Sequence, residues 1–170
     1  DLLFSEQKVR HPIVIITIDE KSLGTMGQWP WPRTLFGKLI GRLQDAAVIG
    51  IDVNFKEASR QGVADDAAFA SAIKNSAVPV ILSAEAQTDN SLISPPEALR
   101  NSSFGFANIV IAPDGVVRST RLLRESLQSF SVQISREYAR SITRHDITIT
   151  SSEPERIAYA GPAGTFPVIS

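Results

Sequence analysis

The sequence predicts an α/β fold, a layered sandwich with a mixed, largely parallel central sheet that a β-hairpin extends. Three observations carry this expectation. Ile13 to Asp19 is a continuous β-branched run, and Val48 to Phe55 reads as a second strand. Runs without polar alternation are the kind buried on both faces of parallel sheets. Between them, Leu35, Phe36, Leu39, Ile40 and Leu43 recur at helical spacing from about Arg33 to Ala47. A strand–helix–strand unit makes its two strands parallel through a right-handed crossover. Finally, "PDG" at Pro113 to Gly115 separates two β-rich runs, Phe106 to Ile111 and Val116 to Leu123. Proline fixes φ, aspartate bonds its own backbone, and glycine takes a positive φ, so this is hairpin chemistry.

The remaining elements follow in chain order. Pro32 suits the start of the first long helix, where its missing N–H costs nothing. "KEASRQGV" is polar and reads as a loop. Asp65 and Asp66 open a second helix, where carboxylates favour the dipole, with Phe69, Ala72 and Ile73 toward the sheet. "VPVILSA" is a third strand, with Pro79 marking its start or an edge position. "SPPEAL" reads as a short helix. Ser129 suits the N-cap of a helix through "SFSVQISREYARSI". The tail, "RIAYAGPAGTFPVIS", holds a short strand and Gly/Pro turns. The "GPAG" there reads as a chain reversal in preference to an anion nest.

The 170 residues fit a single domain, spanning 1–170. Hydrophobic content of 43% and charged content of 21% suit a folded chain. Seventeen basic and eighteen acidic residues leave a net charge of −1, which argues against a nucleic-acid partner. With no cysteine, thiolate catalysis and cysteine-ligated zinc are excluded. No apolar run reaches the roughly 18 residues of a membrane span. The abrupt ends, "DLLFSEQ" and "FPVIS", read as a piece excised from a longer protein.

Candidate site residues cluster at strand ends, where open α/β sheets bind ligands. Asp19 and Glu20 end the first strand; Asp52 and Asn54 lie near the end of the second. If those strands are neighbours, Asp19 and Asp52 approach each other. The pair can hold a hard cation, receive an amine, or act as acid and base. It can equally cap loops or pair with Arg33, and structural ion-pair networks give that reading more weight. Trp29 and Trp31 form either an aromatic wall for a cationic or planar ligand or, with more weight, a seal over the sheet. Arg33 suits a bidentate clamp on Asp19 or Asp52. No dinucleotide fingerprint, Walker loop or G-x-S-x-G elbow occurs, and His11 and His145 fit no triad or metal motif. No cofactor is expected.

The blocks "IVIITIDEKSLGTMGQWPWPR", "GIDVNF", "DDAAFASAI", "GFANIVIAPDGVVRSTRLL" and "YAGPAGTFPVIS" occur in this order. Together they resemble the CHASE type 2 family of extracytoplasmic sensor domains (cyclase/histidine-kinase-associated sensory extracellular), over nearly the whole chain. The resemblance implies the extracytoplasmic part of a bacterial membrane receptor, flanked by transmembrane helices. It implies an output module outside this chain: histidine kinase, nucleotide cyclase, diguanylate cyclase or Ser/Thr kinase. It also implies an unknown small ligand or ion and a homodimer. On this reading the domain senses and is not an enzyme. Two alternatives stand beside it: a metal-assisted hydrolase using Asp19, Asp52 and Asp65, and a purely structural periplasmic interaction domain, whose mark would be an exposed apolar patch.

Overall fold

A three-stranded parallel sheet lies within the larger of two compact units in the computed structural model, which describes residues 13–142, 144–162 and 164–170. His11 therefore lies outside the described residues. The sheet contains β2 (Ile49–Ile51), β3 (Val80–Ala84) and β4 (Ser103–Phe106), in the order β2-β3-β4. Helix α2 (Arg33–Arg42) precedes β2 and α3 (Val63–Lys74) precedes β3. A short 3-10 helix, Glu97–Leu99, precedes β4. These are the helices that the spacing predicts, although α2 ends at Arg42, short of Ala47.

Strand periodicity sorts the side chains by face. Ile49, Ile51, Val80 and Leu82 join Phe36 and Ile40 of α2, Phe69 of α3, Phe55 and Leu99 in one buried cluster. Within it Phe36, Phe55 and Phe69 meet at centroid distances of 5.1 to 5.8 Å in tilted or edge-on geometry, as aromatic quadrupoles prefer. Helices α2 and α3 approach closely at Gly37, where an added Cβ would lie 3.1 Å from that of Ala72. Gly50 and Gly105 face the other way, toward α4 (Phe130–Ile142). The Ser129 hydroxyl accepts the Val132 N–H at 3.3 Å, the N-cap expected for α4. All five residues of β3 are buried, as suits a central strand. Pro79 sits just before it, where its carbonyl accepts the Ile49 N–H at 2.9 Å and its missing donor breaks no ladder.

The hairpin forms from β5 (Val110–Ile111) and β6 (Val117–Arg121), antiparallel with an irregular register. Gly115 has φ 80° and donates its N–H to Ala112 at 2.8 Å, and Asp114 accepts the Val116 N–H. The hairpin does not continue the central sheet. Phe106 belongs to β4, and Asn108 ends the ladder by pairing its amide with both backbone groups of Ala86. A second hairpin joins β7 (Leu123–Arg124) to β8 (Leu127–Gln128), and β9 (Pro154–Arg156) lies beside β6.

The described chain divides into two compact units, Pro32–Glu155 and a smaller one made from the stretch up to Trp31 and Arg156–Ser170. In the smaller unit, β1 (Ile15–Ile16) pairs in parallel with β10 (Val168–Ile169), followed by α1 (Glu20–Met26). This differs from the expected buried strand. Only two residues of the run hold a ladder, and Ile15 and Ile16 are each 42% exposed. The β-branched run favours an extended backbone, but a two-stranded ribbon buries neither face fully. The described strands thus form four small sheets in place of one. Just after "GPAG", Thr165 donates both its N–H and its hydroxyl to the Pro162 carbonyl; the reversal expected in "GPAG" involves Ala163, which lies outside the described residues.

Candidate functional site

The candidate residues fall into two groups, because β1 and β2 belong to different sheets. The premise of neighbouring strands, on which an Asp19–Asp52 pair rested, is therefore not met. Asp19 is the N-cap of α1. Its carboxylate accepts the Ser22 N–H at 3.0 Å, and the Ser22 hydroxyl accepts the Asp19 N–H at 2.7 Å, a reciprocal capping box. The Ser170 hydroxyl adds a bond of 2.7 Å to the same carboxylate. Glu20 follows in the first turn and is exposed.

Hydrogen bonds from Ser22 and Ser170 hold the Asp19 carboxyl well below its ordinary range, at about 2. A carboxyl whose folded value is depressed stabilises the fold above its unfolded value, near 3.9, and loses that contribution as pH falls through the folded value. Amide protection in α1 is therefore expected to weaken between about pH 4 and pH 2. NMR titration of the Asp19 carboxyl carbon, with protection followed in parallel, checks this. A midpoint at or above the unfolded value would contradict it, and Asp19→Ala should abolish the dependence.

Gly27 ends α1 with φ 90°, and the Trp29–Pro30 bond is cis. The Trp31 indole N–H donates to the Gly27 carbonyl at 2.7 Å. Trp29 and Trp31 lie 5.9 Å apart between centroids and tilted by 60°, with Trp29 43% exposed. The indoles pack against each other, and Trp29 still presents a face to solvent.

Arg33 pairs with a carboxylate, but the partner is Asp66 in place of Asp19 or Asp52, and the pairing runs through Nε and is not a bidentate clamp. Its Nε lies 3.1 Å from Asp66, Nη2 donates to the Glu57 carbonyl at 2.6 Å, and the guanidinium stacks 4.2 Å over Phe55. Arg33 is 9% exposed and Asp66 2%. Asp65 accepts the backbone N–H groups of Arg33 and Thr34 at 2.6 and 2.9 Å, and the Ser59 hydroxyl at 2.6 Å. Pro32, the N-cap of α2, makes no side-chain cap bond, so Asp65 supplies the missing acceptor from α3. Burial pushes the Asp65 carboxyl up, and the bonds from Ser59, Thr34 and Arg33 outweigh it, leaving its pKa lowered. Asp65 and Asp66 stand in the first turn of α3, as expected, but both serve α2, which the sequence does not show. The only available signal was two adjacent acids before an apolar helix face.

Asp52 and Asn54 follow β2 at its carboxyl end, and both are exposed. Among the described residues no group of three or more His, Asp or Glu side chains can hold a metal ion. The hydrolase reading thus finds no ligand set there, and Asp65 is committed to α2. Among the same residues no helix is long and apolar enough to cross a membrane.

Searches of curated proteins and of solved structures found no match. The family comparison did: a model described as "CHASE2 domain" matches residues 1–170, the whole length. The chain therefore belongs to the CHASE2 family, the extracellular sensory domains of signalling receptors.

Proposed function

We propose that this chain is the input module of a bacterial transmembrane receptor and is not itself catalytic. The single observation that carries this is the family match over all 170 residues. On this reading the domain lies in the periplasm or at the cell surface, between transmembrane helices. It biases a histidine kinase, nucleotide cyclase, diguanylate cyclase or Ser/Thr kinase module on the other side, as one of two protomers. A stimulus acts by binding one conformation better than another. Among the residues weighed for a ligand or ion, Glu20, Trp29, Asp52 and Asn54 are exposed. Arg33 and Asp19, by contrast, are engaged in bonds that hold the fold.

Location is tested directly, because the chain contains no cysteine. Val63, at the start of α3, is 77% exposed. The full-length receptor carrying Val63→Cys should react with a membrane-impermeant maleimide in sealed spheroplasts. The receptor without the substitution serves as the blank. Labelling only after the membrane is broken would place the domain in the cytoplasm and overturn the proposal.

A further inference from the structure

We propose that an open cleft in the larger unit binds a small ligand carrying a carboxylate or phosphate group. The cleft is lined by Asn90, Arg121, Arg124, Glu125 and Ser152 and has a volume of about 340 Å³. That is within the size range of small-molecule sites. Its chemistry is set by two guanidiniums. Arg121 and Arg124 are half-buried, and among the described residues neither pairs with a carboxylate. Each is instead aimed by a backbone carbonyl. Arg121 Nη1 donates to Ser152 at 2.7 Å, and Arg124 Nη1 donates to Gln87 at 3.3 Å. The Arg124 guanidinium carbon also lies over the Phe106 ring, 5.7 Å from its centroid. A guanidinium has five N–H donors in a planar fork, so a guanidinium fixed by one carbonyl still offers donors to an oxyanion.

The backbone of the rim points the same way. Glu125 begins the two-residue turn between β7 and β8 and has φ 53°. The first position of such a turn with a positive φ is ordinarily glycine, since a Cβ disfavours the left-handed region. Asn90, across the cleft, has φ 62°, and its amide donates to the Glu125 carboxylate at 2.8 Å. Strained residues gather at ligand clamps, and Glu125 gives the cleft an acceptor beside its two cations. The ligand that fits bears an oxyanion together with a hydroxyl or ammonium donor.

Calorimetric titration of the 170-residue chain at constant ionic strength tests this. The probes are inorganic phosphate, malate and serine, with chloride as the control. Phosphate and malate separate the two oxyanion sources, and serine tests the donor beside a single carboxylate. Saturable binding of at least one probe is expected, and Arg121→Gln or Arg124→Gln should each weaken it by about ten-fold or more. Glu125→Gly should raise the melting temperature of the unliganded chain and weaken malate or serine more than phosphate. Because Glu125→Gly relieves strain, it keeps the test sharp if an arginine variant folds poorly. No saturable binding of any probe up to about 10 mM would overturn the proposal, as would binding indifferent to all three substitutions. Any effect on receptor output rests on the sensory reading. Binding is read on the chain alone, so a silent output with intact binding counts against that reading and not against the cleft.

Discussion

Alanine at Gly105 is expected to lower folding stability by about 3 kcal/mol, near the upper end for overpacking. Gly105 is buried in β4, and its missing side chain is where the start of α4 rests. An added Cβ would stand 2.5 Å from the Phe130 Cα, 2.6 Å from its nitrogen and 2.8 Å from the Ser129 carbonyl carbon. All three are backbone atoms, and Ser129 is tied to Leu122 and caps α4. The clash is relieved only by moving the helix start. Gly50→Ala makes the comparison. Its Cβ would overlap the tip of the Ile134 side chain, which a rotamer change can clear. Gly50→Ala should therefore cost about 1 kcal/mol or less, partly offset by a less flexible unfolded chain. Urea unfolding of the two variants, compared at their midpoints, checks both values. Equal losses would show that the contact at Gly105 is not rigid.

The second large effect is at Arg33. Replacing it with methionine keeps most of the packing volume but leaves Asp66 buried without its cation. Removal of one partner from a buried ion pair costs about 3–5 kcal/mol. Arg33 also ties α2 to the loop at Glu57 and covers Phe55, so little compensates. The double variant Arg33→Met with Asp66→Leu should recover part of the loss, because the stranded charge is gone. Full recovery is not expected, since Asp66 also accepts the Ser59 N–H at 2.9 Å. A loss below about 1 kcal/mol in the single variant would mean that the pair behaves as a surface ion pair. Chemical denaturation of the three proteins decides this.

What the sequence makes legible is local. Pro113, Asp114 and Gly115 specify a turn by their own backbone chemistry, and that turn is present. The apolar spacing of α2 and α3 and the hydroxyl of Ser129 likewise act within a few residues. Partner choice is not local. Thr17 meets Ile169, 152 residues away, so no window around Ile13 to Asp19 shows that its partner is the far end of the chain. The same limit hid the true partner of Arg33, since Asp66 is 33 positions on and sequence order alone favours neither it nor Asp52. The cleft left even less trace. Arg121 and Arg124 look like solvated strand residues until the path of Ser152 and Asn90 is known. The family is legible all the same, because the order of whole blocks carries it and no pairing does.

On the proposed function, this domain, outside the membrane, sets the activity of a module inside it. The most direct test is the output rate of the full-length receptor in its membrane, normalised to receptor amount. The native protein is compared with the Gly105→Ala and Gly50→Ala forms. Disrupting the seat of α4 with Gly105→Ala should shift the output rate several-fold and remove its response to stimulus, while Gly50→Ala stays near native. Equal output rates in all three, at equal amounts of receptor, would contradict the account and leave the domain as a passive extracellular scaffold.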